Sequence, residues 1–358
     1  MLQPRTRRTF LASSLGTALV GSAGCLGEAS PSDGSQSNGS QSDGDRTVQS
    51  SFFVAGDIAR SVAGDTAAVE DLVPFGQHGH GWEPGPDVQR KAVDADSFVY
   101  VGEGFQPWAD DVVANLRTDA PDVAVIAVRS GVDLLPAPGA ESERDHGGDE
   151  THQSDDGHDS HDDHEDETHQ SDQSDDHDHG TADPHFWLDP TRTKTAVENV
   201  RAGFAEADPD NSDHYDANAE SLVADLDALD AEFEETLADR NRDVVLVAGH
   251  NAFQYLGHRY EFEVHALSGL APDATPSPKA VREAQQVVEE HGIEHVLAPV
   301  FESDRAARQL VAETGAKEVL PVTPIPTIKP EWDDRGWGYL DVMREVNLDS
   351  LSTALGAQ

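Results

Sequence analysis

The chain has 358 residues, enough for two domains of ordinary size, and a formal charge of -45 from 69 acidic and 24 basic residues. This charge excludes nucleic-acid binding, because no basic surface of the required size can form beside phosphates. A carboxylate-rich surface that is poor in lysine is typical of proteins that work in concentrated salt, as in halophilic archaea. The alternative is an acidic protein from an ordinary environment.

Residues 1–25 have the pattern of an export signal. Thr6–Leu11 reads as a twin-arginine motif, and the apolar stretch Phe10–Val20 is too short for a membrane-spanning helix. Ser22–Cys25 resembles a lipobox, and Cys25 is the only cysteine, which suits lipid attachment. Residues 26–48 are rich in Ser, Gly and Asp and predict a flexible tether. We therefore expect an exported protein that lipidated Cys25 anchors to the outer face of the cell membrane.

The rest of the chain alternates short apolar runs with helix-forming stretches, which is typical of an α/β fold. We expect an amino-terminal lobe over residues 49–212, a linking helix over 213–240 and a carboxy-terminal lobe over 241–358. Each lobe has a central, mostly parallel sheet flanked by helices, since the apolar runs lack polar alternation. The predicted strands are Ser51–Ala55, Val69–Val73, Ser97–Val101, Val123–Val128, Val244–Ala248, Phe262–Ala266 and His295–Val300.

A long helix is predicted over Asp213–Ala238. Its apolar side chains recur every three or four residues and form one face, namely Leu222, Leu226, Leu229, Phe233 and Leu237. At 1.5 Å per residue such a helix is about 39 Å long, enough to cross both lobes as a rigid strut. A helix that belongs wholly to one lobe is the alternative.

The stretch Glu141–Gly180 contains eight histidines and seventeen acidic residues, but no large apolar residue. With nothing to bury, it should be a disordered loop, which we place at residues 141–181. Imidazole and carboxylate both bind divalent metals, so the composition indicates auxiliary metal binding. An acidic loop with incidental histidines is the alternative. The histidines are His146, His152, His158, His161, His164, His169, His177 and His179.

Three further histidines occupy unusual local settings. His80 lies in a Gly- and Pro-rich loop after the predicted strand Val69–Val73, and His185 lies between a proline and two aromatic residues. His250 follows the apolar run Val244–Ala248, and ligands of open α/β folds bind at the carboxyl ends of strands. Each histidine alone is more often structural than a ligand. Together, in a chain with a histidine-rich loop, they predict a metal site.

Four ordered motifs resemble those of a known family. Residues 74–86 (PFGQHGHGWEPGP) are similar to D-P-H-x-[YW]-E-P-[ST]-P, and residues 183–190 (DPHFWLDP) to D-P-H-[IF]-W-L-D-P. Residues 249–256 (GHNAFQYL) are similar to H-x-A-F-x-Y-[FL], and residues 268–273 (SGLAPD) to S-G-L-S-P-[DE]. Over about residues 49–346, the chain resembles the zinc/manganese solute-binding proteins of ABC importers.

This resemblance implies two lobes joined by a backbone helix, with metal in the cleft between them. His80 and His185 would be ligands from the first lobe, and His250 a ligand from the second. A histidine at the third ligand position accompanies zinc in this family, so Zn²⁺ is the expected cargo and Mn²⁺ the alternative. The resemblance also implies an ABC permease as the membrane partner and a receptor rather than an enzyme. We expect a monomer.

The fourth ligand position stays open. The family often has an Asp before a Pro in the second lobe, where this chain has Thr323, and a neutral hydroxyl is a poor metal ligand. Thr323, His78, a histidine of the insertion or water can occupy that position.

Two other functions share part of this pattern. Three histidines with an open position also describe catalytic zinc, but the chain has no H-E-x-x-H motif and no Ser-His-Asp ordering. A surface metal store or adhesin shares every motif with the transport receptor and differs only in whether a permease docks.

Overall fold

A computed structural model describes residues 46–77, 82–137, 182–272, 274 and 276–357, which lie in one compact unit, Gly44–Gln358. The export signal, the tether, Cys25, the insertion with its eight histidines, His78 and His80 lie outside the described residues. Within the described ranges, no helix combines the length and the apolar character needed to span a membrane.

The first lobe is built on a sheet of parallel strands in the order β2-β1-β3-β4. Its strands are β1 (Arg46–Ser50), β2 (Ala67–Asp71), β3 (Ser97–Tyr100) and β4 (Ala124–Ala127). Its helices are α1 (Phe53–Ala63), α2 (Asp87–Val93), α3 (Pro107–Asp119) and α4 (Pro190–Ala207), with short 3₁₀ turns at Phe186–Leu188 and Pro209–Asn211.

The second lobe repeats this topology, with parallel strands in the order β6-β5-β7-β8. Its strands are β5 (Val244–His250), β6 (Glu263–Ser268), β7 (His295–Pro299) and β8 (Glu318–Val322). After the long helix α5 (Ser212–Leu237) come α6 (Gln254–Tyr260), α7 (Pro278–His291), α8 (Arg305–Glu313), α9 (Pro330–Asp333), α10 (Tyr339–Val342), a π-helical turn (Met343–Leu348) and α11 (Asp349–Leu355).

Both sheets are covered by helices, which explains why their central strands read as continuous apolar runs. Every residue of β5 is buried, and so is every residue of β3. The predicted fold class, two α/β lobes with parallel sheets flanked by helices, is confirmed. The exact lobe boundaries stay predictions.

The helix predicted over Asp213–Ala238 is α5, and the five apolar side chains of its predicted face are all buried. It packs against α1 and α4 of the first lobe and against α6, α10 and α11 of the second. Because one continuous helix contacts both lobes, bending between the lobes would break its hydrogen-bonded turns or its packing.

The strand predicted over Ser51–Ala55 is wrong. The first strand is Arg46–Ser50, and the aromatic-apolar run starting at Phe53 opens helix α1. The apolar side chains of this run are buried on one face of helix α1, and Ile58, Ala59 and Val62 continue that face. A short apolar run fits a strand and a buried helix equally well, and here the later helical repeat decides.

Candidate metal centre

His250 is the last residue of β5 and is only 1% exposed. β5 lies between β6 and β7 in the sheet. The next strand in sequence, β6, pairs on one side of β5, and the strand after that, β7, pairs on the other side, so the strand order reverses at β5. The carboxyl edge at such a reversal is where open α/β sheets bind ligands. The strand therefore places His250 at the ligand-binding edge of the second lobe.

The carboxylate of Glu302 fixes the orientation of His250. Its Oε1 lies 2.5 Å from His250 Nδ1, and its Oε2 accepts a hydrogen bond of 3.2 Å from the His250 backbone N–H. A proton held on Nδ1 leaves the lone pair on Nε2. Nε2 is buried and has no hydrogen-bond partner among the described residues. This carboxylate–histidine arrangement is typical of metal-ligating histidines.

Gly249 makes this contact possible. A Cβ at this position would lie 2.6 Å from Glu302 Oε2 and 2.6 Å from Pro299 Cγ, well inside van der Waals contact. Only glycine therefore allows the Glu302 carboxylate to approach the backbone beside His250.

His185 is oriented in the same way by Asp183. Asp183 Oδ1 lies 2.7 Å from His185 Nδ1 and accepts a 2.9 Å hydrogen bond from the His185 backbone N–H. Both side chains are buried. Burial lowers the pKa of His185, and the nearby Asp183 carboxylate opposes that shift. A neutral imidazole is the form that binds a metal.

The two histidines come from different lobes and meet. Their ring centroids are 5.4 Å apart with an interplanar angle of 51°. Metal–imidazole bonds are about 2.0–2.1 Å long, so the two rings lie within reach of one ion. The second oxygen of Asp183, Oδ2, is also buried without a hydrogen-bond partner among the described residues. The unpaired and buried Nε2 of His250 is the kind of atom that a metal ion can satisfy.

The described residues contain two of the three predicted ligands. No group of three or more His, Cys, Asp or Glu that could hold a metal is present within them. The third predicted ligand, His80, lies in residues 78–81, which are not described. Its role and that of His78 stay predictions.

Thr323, the other predicted fourth position, is completely buried just after β8. Its Oγ1 accepts a 2.9 Å hydrogen bond from the Ile325 backbone N–H. The hydroxyl oxygen therefore already accepts a hydrogen bond within a local turn, and the role of Thr323 as a ligand stays a prediction.

The sequence interpretation missed the role of Glu302. A usable signal was present, because Glu302 follows β7 by three residues, and the carboxyl end of β7 lies beside that of β5 in the sheet. A carboxylate and an imidazole leaving neighbouring parallel strands at one edge are expected to meet.

Comparison with known proteins shows the family of this chain. Residues 48–354 match the ZnuA family, described as "Zinc-uptake complex component A periplasmic". The chain belongs to the ZnuA family. It is 32% identical over 304 residues to the zinc-binding lipoprotein AdcA of Streptococcus pneumoniae (strain TIGR4), a match that covers 85% of this chain and 54% of AdcA. The chain thus spans about half the length of that relative.

A relative of similar length is the high-affinity zinc uptake system protein ZnuA of Bacillus subtilis. It is 29% identical over 309 residues, which cover 86% of this chain and 87% of that protein. Among solved structures, the Zn(II)-bound ZnuA-like domain of S. pneumoniae AdcA is similar, with a TM-score of 0.67 and 27% identity. That match covers 87% of this chain and 99% of the domain. The ZnuA-family fold therefore extends over nearly the whole compact unit.

Replacing Gly249 with alanine is expected to lower zinc affinity about tenfold, because the new methyl group displaces the Glu302 carboxylate from His250 Nδ1. The matched control is Gly315→Ala, since a Cβ there meets no atom within 4 Å. Competition with a fluorescent chelator measures both affinities. Equal affinities of the two variants would show that the close approach at Gly249 does not matter for the metal.

Proposed function

We propose that the protein is the extracytoplasmic zinc receptor of an ABC importer. It captures Zn²⁺ between its lobes with His80, His185 and His250 and delivers the ion to a membrane permease. The names of its relatives, a zinc-binding lipoprotein and a high-affinity zinc uptake system protein, support this function. A transport receptor must bind Zn²⁺ reversibly and does not have to change it chemically, so the proposal includes no catalytic step.

One observation carries the proposal more than any other. Two buried imidazoles, one from each lobe, face each other at 5.4 Å, and each is fixed at Nδ1 by its own carboxylate. Imidazole favours zinc over manganese, for which hard oxygen ligands are better suited. This donor set supports zinc as the cargo, with manganese as the alternative.

The proposal also covers the location of the protein. The twin-arginine pattern, the lipobox and the polar tether support export and attachment to the outer face of the membrane through Cys25. A single anchored copy is enough to present one cleft to one permease, so we propose a monomer. The acidic composition supports a function in concentrated salt.

We further propose that the insertion Glu141–Gly180 is a low-affinity zinc collector for the cleft. The residues that flank it are held together, because Pro136 pairs with Ala182 in an antiparallel bridge and Asp183 N–H donates to Leu135 O at 2.8 Å. The described residues that flank the insertion thus lie next to Asp183, the residue that orients His185. Because the chain is continuous, the eight histidines of the insertion are tethered to the cleft ligand, which raises their effective concentration there.

Side chains of the second lobe also bond to the residues that flank the insertion. The hydroxyl of Tyr255 accepts a 2.9 Å hydrogen bond from Leu135 N–H and donates one of 2.7 Å to Asp183 O. Gln254 Nε2 donates to Pro136 O at 3.0 Å. Because these contacts hold both flanks without the insertion, deletion of the insertion should leave the cleft intact.

Uptake of radioactive zinc tests the function. Cells that lack this chain should lose uptake at scarce zinc, and the full chain should restore it while a His185→Ala variant does not. Unchanged uptake in cells without the chain would contradict the receptor function and favour a surface metal store or adhesin.

Deleting Glu141–Thr181 and closing the gap with a short Gly-Ser linker is expected to slow uptake at scarce zinc and to leave uptake at abundant zinc unchanged. The control replaces the eight histidines of the insertion by glutamine and keeps its length. An unchanged uptake rate of the deletion variant at scarce zinc would rule out the collector role.

A further inference from the structure

The loop that contains His185 is bonded to the second lobe on both sides of this histidine. On the amino-terminal side, the hydroxyl of Tyr255 donates a 2.7 Å hydrogen bond to Asp183 O. On the carboxy-terminal side, the hydroxyl of Tyr339 donates a 2.5 Å hydrogen bond to Trp187 O. Asp183 and Trp187 each lie two residues from His185 in the sequence. Two hydroxyls of the second lobe therefore bracket the ligand, and we call Tyr255 and Tyr339 the tyrosine bracket.

Both hydroxyls of the tyrosine bracket are donors in a buried environment. Tyr255 is completely buried, and Tyr339 is 2% exposed. Burial raises the pKa of both tyrosines, so both hydroxyls keep their protons at neutral pH. Removing a donor from a buried carbonyl is costly, because water cannot easily take its place. Trp187 O also accepts a longer hydrogen bond of 3.2 Å from Thr193 Oγ1, so Tyr339 supplies the shorter of these two bonds.

The two residues that the bracket holds both contact the ring of His185. Asp183 Oδ1 lies 2.7 Å from His185 Nδ1. The ring of Trp187 packs edge-on against the imidazole, with a centroid distance of 5.4 Å. The indole Nε1 of Trp187 also donates a 2.7 Å hydrogen bond to Pro324 O of the second lobe. A shift of either Asp183 or Trp187 therefore moves a group that touches the imidazole of His185.

The bracket also relates the His185 loop to the other described ligand, His250. Tyr255 lies in the first turn of α6, five residues after His250, so one short segment contains both a ligand and a bracket donor. The backbone N–H of Tyr339 donates a 2.9 Å hydrogen bond to Asp57 Oδ2 of α1, which holds Tyr339 against the first lobe at a second point. The rings of His185 and His250 thus face each other between segments that the two hydroxyls join.

We propose that Tyr255 and Tyr339 are positioning residues of the metal centre, whose hydroxyls set the position of His185 relative to His250 from the second lobe. This role rests on the proposed function, since it assumes that both histidines bind the cargo. A metal ion is held tightly only when supporting residues fix its ligands in the right geometry. Loss of either hydroxyl loosens the His185 loop, speeds release of the ion and changes the geometry around it.

The test compares Tyr255→Phe, Tyr339→Phe and the double variant in the full chain. Each substitution removes one hydroxyl and keeps the aromatic ring. The matched control is Tyr215→Phe, because the Tyr215 side chain is also buried and its hydroxyl donates a 2.8 Å hydrogen bond to Asp208 Oδ2, between α4 and α5 rather than in a ligand loop. The readouts are the Zn²⁺ dissociation rate into a chelator and the visible absorption spectrum of bound Co²⁺. Thermal unfolding of the metal-free variants checks that each is folded.

We expect each single variant to release zinc about three- to fivefold faster and the double variant about tenfold faster, with a changed Co²⁺ spectrum, as loss of one or two hydrogen bonds allows. Tyr215→Phe should keep the native rate and spectrum. Native rates and spectra for all three bracket variants, or an equal acceleration in Tyr215→Phe, would overturn the positioning role. Tyr255 also bonds to Leu135 beside the insertion, so an acceleration confined to Tyr255→Phe would overturn the role as well.

The same measurements on His185→Ala separate this proposal from the proposed function. If His185→Ala binds zinc as the native chain does, the cleft assignment itself fails. If His185→Ala loses zinc while the double variant of Tyr255 and Tyr339 behaves as the native chain, only the role of the tyrosine bracket fails.

Discussion

Replacing His250 with alanine is expected to weaken zinc binding by a factor of about 10²–10³, more than any single substitution in the insertion Glu141–Gly180. Zinc sites of four protein ligands bind with about 10–16 kcal/mol, so one ligand contributes roughly 2.5–4 kcal/mol. The loss also leaves the Glu302 side chain, which is 10% exposed, without the ring that it orients. A histidine of the insertion is one of eight, and its neighbours can replace it.

The matched controls for this prediction are His258→Ala and His164→Ala. His258 lies on α6 of the same lobe and is exposed, so its loss should leave zinc affinity unchanged. His164 lies in the middle of the insertion. Competition titrations against a chelator of known affinity measure all three variants. Equal losses from His250→Ala and His164→Ala would contradict the assignment of the tight site to the cleft.

Replacing Glu302 with glutamine is expected to lower zinc affinity by about tenfold, at the lower end of the 10–100-fold range for residues that orient a metal ligand. Glutamine keeps the size of the side chain, and its carbonyl oxygen can still accept from His250 Nδ1–H, but its NH2 group cannot accept from the His250 backbone N–H as Oε2 does. The negative charge is lost, and with it the increase in basicity that the carboxylate gives to Nε2. The weaker zinc binding therefore comes from the lost charge and one lost hydrogen bond to His250, and not from a cavity.

The control for Glu302 is Glu318→Gln, which removes the same charge from an exposed position at the start of β8. Thermal unfolding of the metal-free variants shows whether both substitutions leave the fold intact. If Glu318→Gln reduces the affinity as much as Glu302→Gln does, the effect comes from net charge and the orienting role is wrong.

The sequence predicted those features that depend on local patterns. The continuous apolar runs identified strands β3, β4, β5 and β7, because buried parallel strands require them. The three- and four-residue spacing of the apolar side chains identified α5 over its whole length. The sequence also predicted correctly that His250 lies at the end of a strand, because it comes just after the apolar run Val244–Ala248, which forms most of β5.

Other features depend on packing between distant residues. The half-polar β1 was missed, because its neighbours on both sides rather than its own composition make it a strand. β8 was missed as well, since it is a partly exposed edge strand that contains a proline. The contacts of Glu302 with His250 and of Tyr339 with Trp187 join residues 52 and 152 positions apart, and no local pattern predicts such pairs.

The measurement that tests the central claim most directly is calorimetric titration of residues 44–358 with Zn²⁺ and then Mn²⁺ in high salt, with and without Glu141–Thr181. A cleft receptor predicts one tight zinc site that survives deletion of the insertion, together with weak manganese binding. Loss of tight zinc binding on deletion would contradict the cleft assignment and make a surface metal store the better account.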